Sequence, residues 1–364
     1  MEISKHTQTA GDNSIQTTVG TINVFQGITE ERAREICMEV YAVVARDMTQ
    51  EAVNTASERV AKLADVLLPK MASYDNQLSA FADPAYQLAL RKAQMSAACT
   101  SETSDYELLS ELLLERAKIK EDKNKQLGIS KALEIVGQIS DEALLGLSVI
   151  YVAVRLFPLA DNLHQALEMY NRIFSKIIGE RTLPIGNEWM EDLDILAAIR
   201  ISSLGVVDAK KYFSSVFSNH LVSGVLKDSE DYERIKKELL SVGLPADGIF
   251  VPHPLKPNYV KLFTNKDIDS LMLINNINGK SITTQLTQEQ RDILNKVANE
   301  TRRNDSNIPQ MQDAFMQEWD KYPYLKSIRE WWKSLKQAPS LTPVGFALAN
   351  AYCRILDPSI PKLD

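Results

Sequence analysis

Residues 143–157 read ALLGLSVIYVAVRLF and form the longest apolar stretch of the chain. Arg155 interrupts the stretch, which is also shorter than the roughly 20 residues that a helix needs to cross a bilayer. Ser140 and the two acidic residues after it are typical of a helix start, and Pro158 is typical of a helix end. The stretch therefore predicts a buried helix inside a helical body, and the fold class is expected to be mainly α.

The chain around this helix shows the same signals. Thr29 and Thr49 are candidate N-caps that precede apolar residues at helical spacing, and Asp83 precedes a proline that suits the first helical position. Pro69 is expected to end the helix that Thr49 begins. Residues 30–241 thus predict about nine helices joined by short turns, without strands.

The amino-acid composition changes at Gly243, since residues 243–265 hold four prolines and two glycines. Residues 249–251 and 259–263 have the composition of short strands, and further helices follow. Residues 267–274 fit either a strand or a helix. We therefore expect three parts: a β-rich leader (1–27), a helical domain (28–242) and a small α+β domain (243–364).

The leader contains GDNSIQTTVGTINVFQG at residues 11–27, with few charges and with apolar side chains at intervals. The alternation predicts two short strands whose open edges need a partner, such as the same segment of a second copy. The alternative is a disordered tail, since N-terminal residues are often mobile. The candidate assembly residues are Ile15, Val19, Ile22, Val24 and Phe25.

The totals exclude some classes of protein. The 364 residues suffice for two or three domains, and the net charge of −7 argues against a globally basic nucleic-acid binder. The N-terminus lacks the features of a signal peptide, so a cytoplasmic protein without a membrane span is expected. Cys37, Cys99 and Cys353 form no CxxC pair and are expected to be buried free thiols.

Motifs for catalysis and for cofactors are weak. Gly279, Lys280 and Ser281 resemble the end of a phosphate-binding loop, but the required earlier glycine is replaced by isoleucine, which favours a polar turn. His253 stands between two prolines, where a rigid turn is the alternative to a catalytic role. The acidic residues of 188–194 favour a solvated first helical turn. No cofactor and no metal site is expected.

Two basic segments are candidates for binding an anion or a nucleic acid. Arg116, Lys120 and Lys123 share one helical face if their helix continues, and a nucleotide, phosphate or RNA could dock there; a solvated helix end is the alternative. The second segment interleaves aromatic and basic residues as in single-strand binders, although its aromatic residues also suit a domain core. Its candidate residues are Lys326, Arg329, Trp331, Trp332 and Lys333.

Four stretches carry a resemblance to a known family. They are GDNSIQTTVGTINVFQGITEERAREICMEV (11–40), AFADPAYQLALRKAQMSAA (80–98), LLSELLLERAKIK (108–120) and LTPVGFALANAYCRIL (341–356). Together they resemble a family of uncharacterised bacterial proteins with locus-style names, for which no activity or catalytic residue is established. Leaders of similar composition occur in bacterial conflict and phage-defence proteins.

Three functions remain open on the sequence. The leading hypothesis is a non-enzymatic bacterial protein that self-associates through its leader and presents its helical body to a protein partner, in a context such as phage defence. The second is a nucleic-acid-binding module that uses the C-terminal basic and aromatic residues. The third is an enzyme whose site is assembled from scattered residues, for example His253 with carboxylates.

Overall fold

The computed structural model describes residues 27–119, 121–158, 160, 162–202, 205, 207–263, 268–277, 280–302 and 308–362. Within these ranges the chain forms fourteen α-helices and seven short strands. The helices are α1 (Glu30–Val44), α2 (Gln50–Tyr74), α3 (Pro84–Cys99), α4 (Thr103–Lys118), α5 (Lys123–Ile135), α6 (Asp141–Arg155), α7 (Leu163–Ile178), α8 (Glu188–Ile195), α9 (Ala209–Val216), α10 (Glu230–Ser241), α11 (Gln288–Arg302), α12 (Ile308–Trp319), α13 (Pro323–Ser334) and α14 (Pro343–Leu356). The strands are β1 (Ile199–Ser202), β2 (Val225–Leu226), β3 (Phe250–Pro252), β4 (Tyr259–Leu262), β5 (Met272–Ile277), β6 (Lys280–Gln285) and β7 (Ala338–Leu341). The mainly α class predicted from the sequence is confirmed.

The predicted helix starts are confirmed by their capping bonds. The side chains of Thr29, Thr49, Asp83 and Ser140 each accept a hydrogen bond from a backbone N–H in the first turn of α1, α2, α3 and α6, respectively. Such a cap satisfies a donor that has no partner inside the helix and stabilises the helix by about 1 kcal/mol. Helix starts are local events, which is why the sequence alone locates them.

The predicted stop at Pro69 is wrong, because α2 continues to Tyr74 with Pro69 inside it. A proline in a helix interior removes one hydrogen bond and costs about 3 kcal/mol. Leu67, Leu68 and Met71 surround it and are fully buried in the core. Their burial offsets the local cost, which is a tertiary effect that the sequence pattern did not show.

The absence of strands predicted for residues 30–241 is also wrong. β1 pairs antiparallel with β7, with Ile199 opposite Leu341, and β2 pairs antiparallel with β4. β4 is the centre of a three-stranded sheet that also contains β3, while β5 and β6 form a hairpin, so the ambiguous 267–274 stretch ends in a strand. The partner of β1 lies far along the chain, and a strand of four residues has no local signal strong enough to reveal such pairing.

Two hydrophobic clusters organise most of the buried residues. The larger one runs from Ala33 to Ile360 and includes α6, whose central residues are buried as predicted. The smaller one gathers buried residues between Ile235 and Ala298, around α10 and α11. Buried residues of α12, α13 and α14 belong to the larger cluster. The division at residue 243 stays a prediction, because a hydrophobic cluster by itself does not test where a domain ends.

Helix α14 lies at the centre of the larger cluster, in contact with α4, α5 and α6. Gly345 is the point of closest approach: a Cβ atom added there would lie 2.1 Å from the carbonyl oxygen of Ala198. Thr342 caps α14 and also donates its hydroxyl to the carbonyl groups of Ala197 and Ala198, at 2.7 and 2.9 Å. The start of α14 is thereby fixed against the segment that leads into β1.

Candidate functional site

The basic segment of α4 and α5 is split between two helices. α4 ends at Lys118 and α5 begins at Lys123, so the condition for a common face of Arg116, Lys120 and Lys123, one continuous helix, is not met. The break has a local cause, since the Asp122 side chain accepts hydrogen bonds from the N–H groups of Asn124 and Lys125 and starts a new helix. Lys123 is exposed, and Lys120 lies outside the described residues.

Arg116 lines a cavity of about 700 Å³, named here the α2–α5 cavity because α2 to α5 and the turn between α2 and α3 form its wall. Its lining combines aromatic, acidic, hydroxyl and basic side chains. The lining residues are Met71, Tyr74, Asp75, Ser79, Ala80, Asp83, Ala85, Tyr86, Arg116, Ala117, Ile119 and Gln126. A concave site of this size with a few convergent polar groups is the usual form of a small-molecule site.

The turn that closes one side of the α2–α5 cavity is held by Asp75. Its carboxylate accepts hydrogen bonds from the backbone N–H of Gln77 and from both the N–H and the hydroxyl of Ser79. Leu78 adopts a left-handed backbone conformation with φ of 49° and inserts its side chain into the core. These bonds give the cavity wall a fixed shape before any ligand enters.

The guanidinium of Arg116 is the least compensated group in this wall. The residue is only 9% exposed, and its Nε has no hydrogen-bond partner. Its Nη1 donates to the carbonyl oxygen of Ile119 at 3.4 Å, a long bond. No carboxylate of the described residues lies within ion-pair distance of it. A buried arginine is normally paired with an acid, since transfer of an unpaired charge out of water is costly.

The acids nearest to Arg116 along α4 have other partners. Glu115 Oε1 accepts from Lys118 Nζ at 2.7 Å and from Arg354 Nη1 at 3.1 Å. Glu111 forms an ion pair with Arg354 at 3.4 Å, without the geometry of a hydrogen bond. Both glutamates therefore neutralise cations at the α4–α14 interface, which leaves Arg116 to the cavity.

Tyr86 also lines the cavity, and its hydroxyl is buried in the core. The residue is 1% exposed, and its hydroxyl has no hydrogen-bond partner among the described residues. Its ring is held edge-on by Phe81, with the ring centroids 5.2 Å apart. Burial raises the pKa of Tyr86, so the hydroxyl stays protonated and can donate a hydrogen bond. Nothing in the sequence indicated this unpaired hydroxyl.

The cavity also carries negative charge, from Asp75 and Asp83. Asp83 uses one carboxylate oxygen to cap α3 at Ala85, at 3.1 Å. At the edge, the Tyr74 ring is half exposed and Lys118 Nζ lies 5.5 Å from its centroid. The wall thus combines a nearly buried arginine without an ion pair among the described residues, acceptor oxygens and an aromatic face.

The C-terminal tryptophans lie in the core. Trp331 and Trp332 are each 6% exposed, and their indole N–H groups donate to the carbonyl oxygens of Pro184 and Val207. A base cannot stack on an indole face that is covered, so this arrangement does not favour the aromatic part of the nucleic-acid hypothesis. Arg329 is held in an ion pair by Asp320, whereas Lys326 and Lys333 are exposed. Nucleic-acid binding by this segment stays a prediction.

His253 has both ring nitrogens engaged with the backbone. Nδ1 accepts a hydrogen bond from the N–H of Leu255 at 3.0 Å, so Nε2 carries the proton and donates to the carbonyl oxygen of Val222 at 2.8 Å. Burial, with further contributions from Lys256 and Lys261, lowers the pKa of His253 and keeps the ring neutral. The ring fastens Val222 to the turn that follows β3 and fits the rigid-turn alternative.

The other sequence candidates are separate from the cavity. Glu188, Glu191 and Asp192 are exposed in α8, and Asp194 lies 3.7 Å from Arg200. Lys280 and Ser281 begin β6, and Gly279 lies outside the described residues. The five assembly residues, Ile15, Val19, Ile22, Val24 and Phe25, also lie outside the described residues.

The cysteines differ in exposure. Burial raises the pKa of Cys37 to about 11 and that of Cys353 to about 12, so both remain thiols. The expectation that all three are buried is wrong for Cys99, which is exposed at the end of α3. Among the described residues, no group of three His, Cys, Asp or Glu side chains is placed to hold a metal ion. None of the helices in these ranges has the length and apolar character needed to cross a membrane.

Comparisons with known proteins give one match. A family model with a locus-style “-like” description matches residues 27–360, and the family is uncharacterised. No curated protein and no solved structure matches the chain.

Proposed function

We propose that this protein binds a small molecule with a negatively charged group in the α2–α5 cavity. The protein belongs to the uncharacterised family whose model matches residues 27–360. The family match confirms the resemblance seen in the sequence, and the family has no established activity. The proposal rests instead on one observation: a nearly buried Arg116 faces this cavity without a carboxylate partner among the described residues.

The electrostatic argument concerns the missing counter-ion. An arginine held away from water without an acid destabilises the folded state, because the lost hydration is not replaced. A ligand carboxylate or phosphate would restore that interaction, since guanidinium groups bind both oxyanions through parallel hydrogen bonds. Arg116 lines the cavity, and its Nε has no hydrogen-bond partner among the described residues.

The rest of the wall narrows the ligand class. The carboxylates of Asp75 and Asp83 disfavour a ligand of high negative charge and suit one that also carries N–H or O–H donors. We therefore expect a compact molecule with a single acidic group rather than a polyphosphate or a nucleic acid.

The Arg116→Met variant tests this function. Methionine keeps the apolar stem and removes the charge, so the ligand-free variant is expected to gain about 1 kcal/mol in free energy of unfolding, since an uncompensated charge is lost. Benzoate and inorganic phosphate are suitable probes, and wild-type protein should be stabilised by either of them in thermal and urea denaturation. The Arg116→Met variant should bind either probe at least about tenfold more weakly, which is about 1.4 kcal/mol of binding free energy.

Two controls isolate the charge. Benzamide has the shape of benzoate without its charge and should not stabilise the wild-type protein. Lys123→Met removes an exposed cation of the same basic segment and should leave the response intact. A clear loss of stability in ligand-free Arg116→Met, or an equal response of both variants to benzoate and to phosphate, would contradict the proposal.

A second proposal is the self-association expected from the leader. It is supported by the alternating apolar pattern of residues 11–25 and by the fixed point at which the leader joins the body. Ile28 N–H donates to the carbonyl oxygen of Gln77 at 2.7 Å, and Gly27 lies directly against the Gln77 side chain. An open strand edge pairs readily with a second copy, so residues 1–26 would drive assembly without an enzymatic role for the body.

Deletion of residues 1–26 tests self-association and keeps Gly27 and Ile28 in place. Full-length protein is expected to form a dimer or a larger oligomer in gel filtration with light scattering, and the truncated protein is expected to be a monomer. Val24→Asp with Ile22→Asp, in the full-length chain, should have the same effect because charges on a strand edge oppose pairing. Equal masses for full-length and truncated protein would exclude the leader as the assembly element.

A further inference from the structure

A second cavity, of about 390 Å³, lies between α5, α6, α14 and the C-terminal residues 361–362. It is named here the α6–α14 cavity. Its walls include the apolar side chains of Ile129, Leu156, Pro343 and Phe346. It shares no lining residue with the α2–α5 cavity, and its polarity is different.

All the charge in the wall of the α6–α14 cavity is positive. Lys125, Arg155 and Lys362 line it, and none of its lining residues is acidic. Lys125 has Asp122 at 3.7 Å, whereas Arg155 and Lys362 form no ion pair within the described residues. The guanidinium carbon of Arg155 lies 4.7 Å from the centroid of the Phe346 ring. This stacking places a cation directly beside an apolar wall.

Tyr151 supplies a neutral donor in the same cavity. The residue is 6% exposed, and its hydroxyl accepts a hydrogen bond from Nδ2 of the buried Asn350 at 2.8 Å. That Nδ2 also donates to the carbonyl oxygen of Pro361 at 2.9 Å, which fixes the orientation of the amide. The Tyr151 hydroxyl, engaged as an acceptor, keeps its own proton for a further partner. Burial raises the pKa of Tyr151, so this proton is retained at neutral pH.

We propose that the α6–α14 cavity binds one amphiphilic carboxylate, a molecule with an apolar chain and a single acidic head. The hydrocarbon chain of the ligand would contact Phe346, Leu156 and Ile129. Its carboxylate would lie between Arg155 and Lys362 and accept a hydrogen bond from the Tyr151 hydroxyl. Charge complementarity selects this occupant: an apolar wall favours a hydrocarbon, and Arg155 and Lys362, which have no acidic partner among the described residues, favour an anion. The inference is independent of the α2–α5 cavity.

Decanoate is the probe, in isothermal titration calorimetry with the full-length protein. Wild-type protein should bind one decanoate per chain saturably. Arg155→Gln and Lys362→Gln should each weaken binding at least about fivefold, since a charge-assisted bond contributes about 1 kcal/mol or more. Both side chains are exposed, so neither variant is expected to unfold. Arg91→Gln, an exposed cation of α3 outside the cavity wall, should bind like the wild-type protein.

Three further measurements complete the test. Decanol has a similar chain without the acid and should bind much more weakly than decanoate. Arg116→Met should leave decanoate binding unchanged, which separates this site from the α2–α5 cavity. Binding to phosphatidylglycerol vesicles without saturable binding of free decanoate would assign the cations to a lipid surface and overturn the proposal. Unchanged affinity in both Arg155→Gln and Lys362→Gln would also overturn it.

Discussion

The Glu115→Gln variant is expected to lose about 3 kcal/mol of its free energy of unfolding, the range observed when one partner of a buried ion pair is removed. Glu115 has a side chain that is 3% exposed and holds two cations, Lys118 and Arg354, through the same carboxylate oxygen. The glutamine side chain has nearly the same shape, so the change removes charge rather than volume. Arg354, with a side-chain exposure of 13%, would then keep only the longer contact with Glu111.

Urea denaturation of the variant and the wild-type protein measures this loss. Glu39→Gln is the matched control, because Glu39 pairs with Arg32 on the surface of α1 and its side chain is 61% exposed. Exposed pairs contribute little, so the control should change the stability by about 0.5 kcal/mol or less. A loss of equal size in both variants would show that the ion pairs of Glu115 with Lys118 and Arg354 stabilise the fold no more than an exposed pair does.

The ion pairs between α4 and α14 also affect the α2–α5 cavity. They pair the carboxylates of Glu111 and Glu115 with Arg354 and Lys118, so neither acid is available to Arg116. Glu115→Gln should therefore leave the Arg116 guanidinium unpaired and should preserve binding of benzoate or phosphate in the molecules that remain folded. Stability and ligand binding are thus expected to respond separately to changes only one residue apart in α4.

The second large effect is expected for Gly345→Ala, which should lower the free energy of unfolding by about 2 kcal/mol or more, as overpacking of a close backbone contact does. A Cβ atom at this position would lie 2.1 Å from the carbonyl oxygen of Ala198. The neighbour is backbone, so it cannot move aside as a flexible side chain can. The start of α14 would shift away from the segment that leads into β1, and the hydroxyl of Thr342 would lose its bonds to Ala197 and Ala198.

The direction of this change is informative, because a glycine-to-alanine substitution inside a helix otherwise raises the free energy of unfolding by up to about 1 kcal/mol. Asn295→Ala, at an exposed position of α11, controls for helix propensity and should be neutral or slightly stabilising. Urea denaturation compares the two variants. Unchanged or increased stability of Gly345→Ala would mean that the contact between α14 and Ala198 is looser than the structure shows.

Several parts of the fold could be predicted from the sequence, because their causes are local. The capping residues Thr29, Thr49, Asp83 and Ser140 interact with amide groups two or three residues away. The burial of 143–153 follows from its apolar composition. Where the outcome depended on distant partners, prediction was wrong: Pro69 stays inside α2 through core packing, and β1 exists because β7 pairs with it.

The candidate site divides in the same way. The sequence marked Arg116 as a cation for an anionic partner, but its common face with Lys123 required one continuous helix, and Asp122 begins a new helix before Lys123. It gave no reason to choose Tyr86, Tyr151 or Arg155. Each of these residues matters through an unpaired donor or an uncompensated charge, and pairing is a property of the surroundings rather than of the residue.

The sequence by itself determined a mainly helical chain, the starts of its capped helices and the central buried helix, because periodicity and capping act over a few residues. Only the tertiary structure decided that Trp331 and Trp332 lie in the core, that α14 meets the backbone of Ala198 at Gly345, and that Arg116 and Arg155 line two cavities of different polarity. The physical reason is that burial and charge compensation depend on groups brought together across the whole chain, and their free energy cannot be assigned to any one segment before the chain has folded.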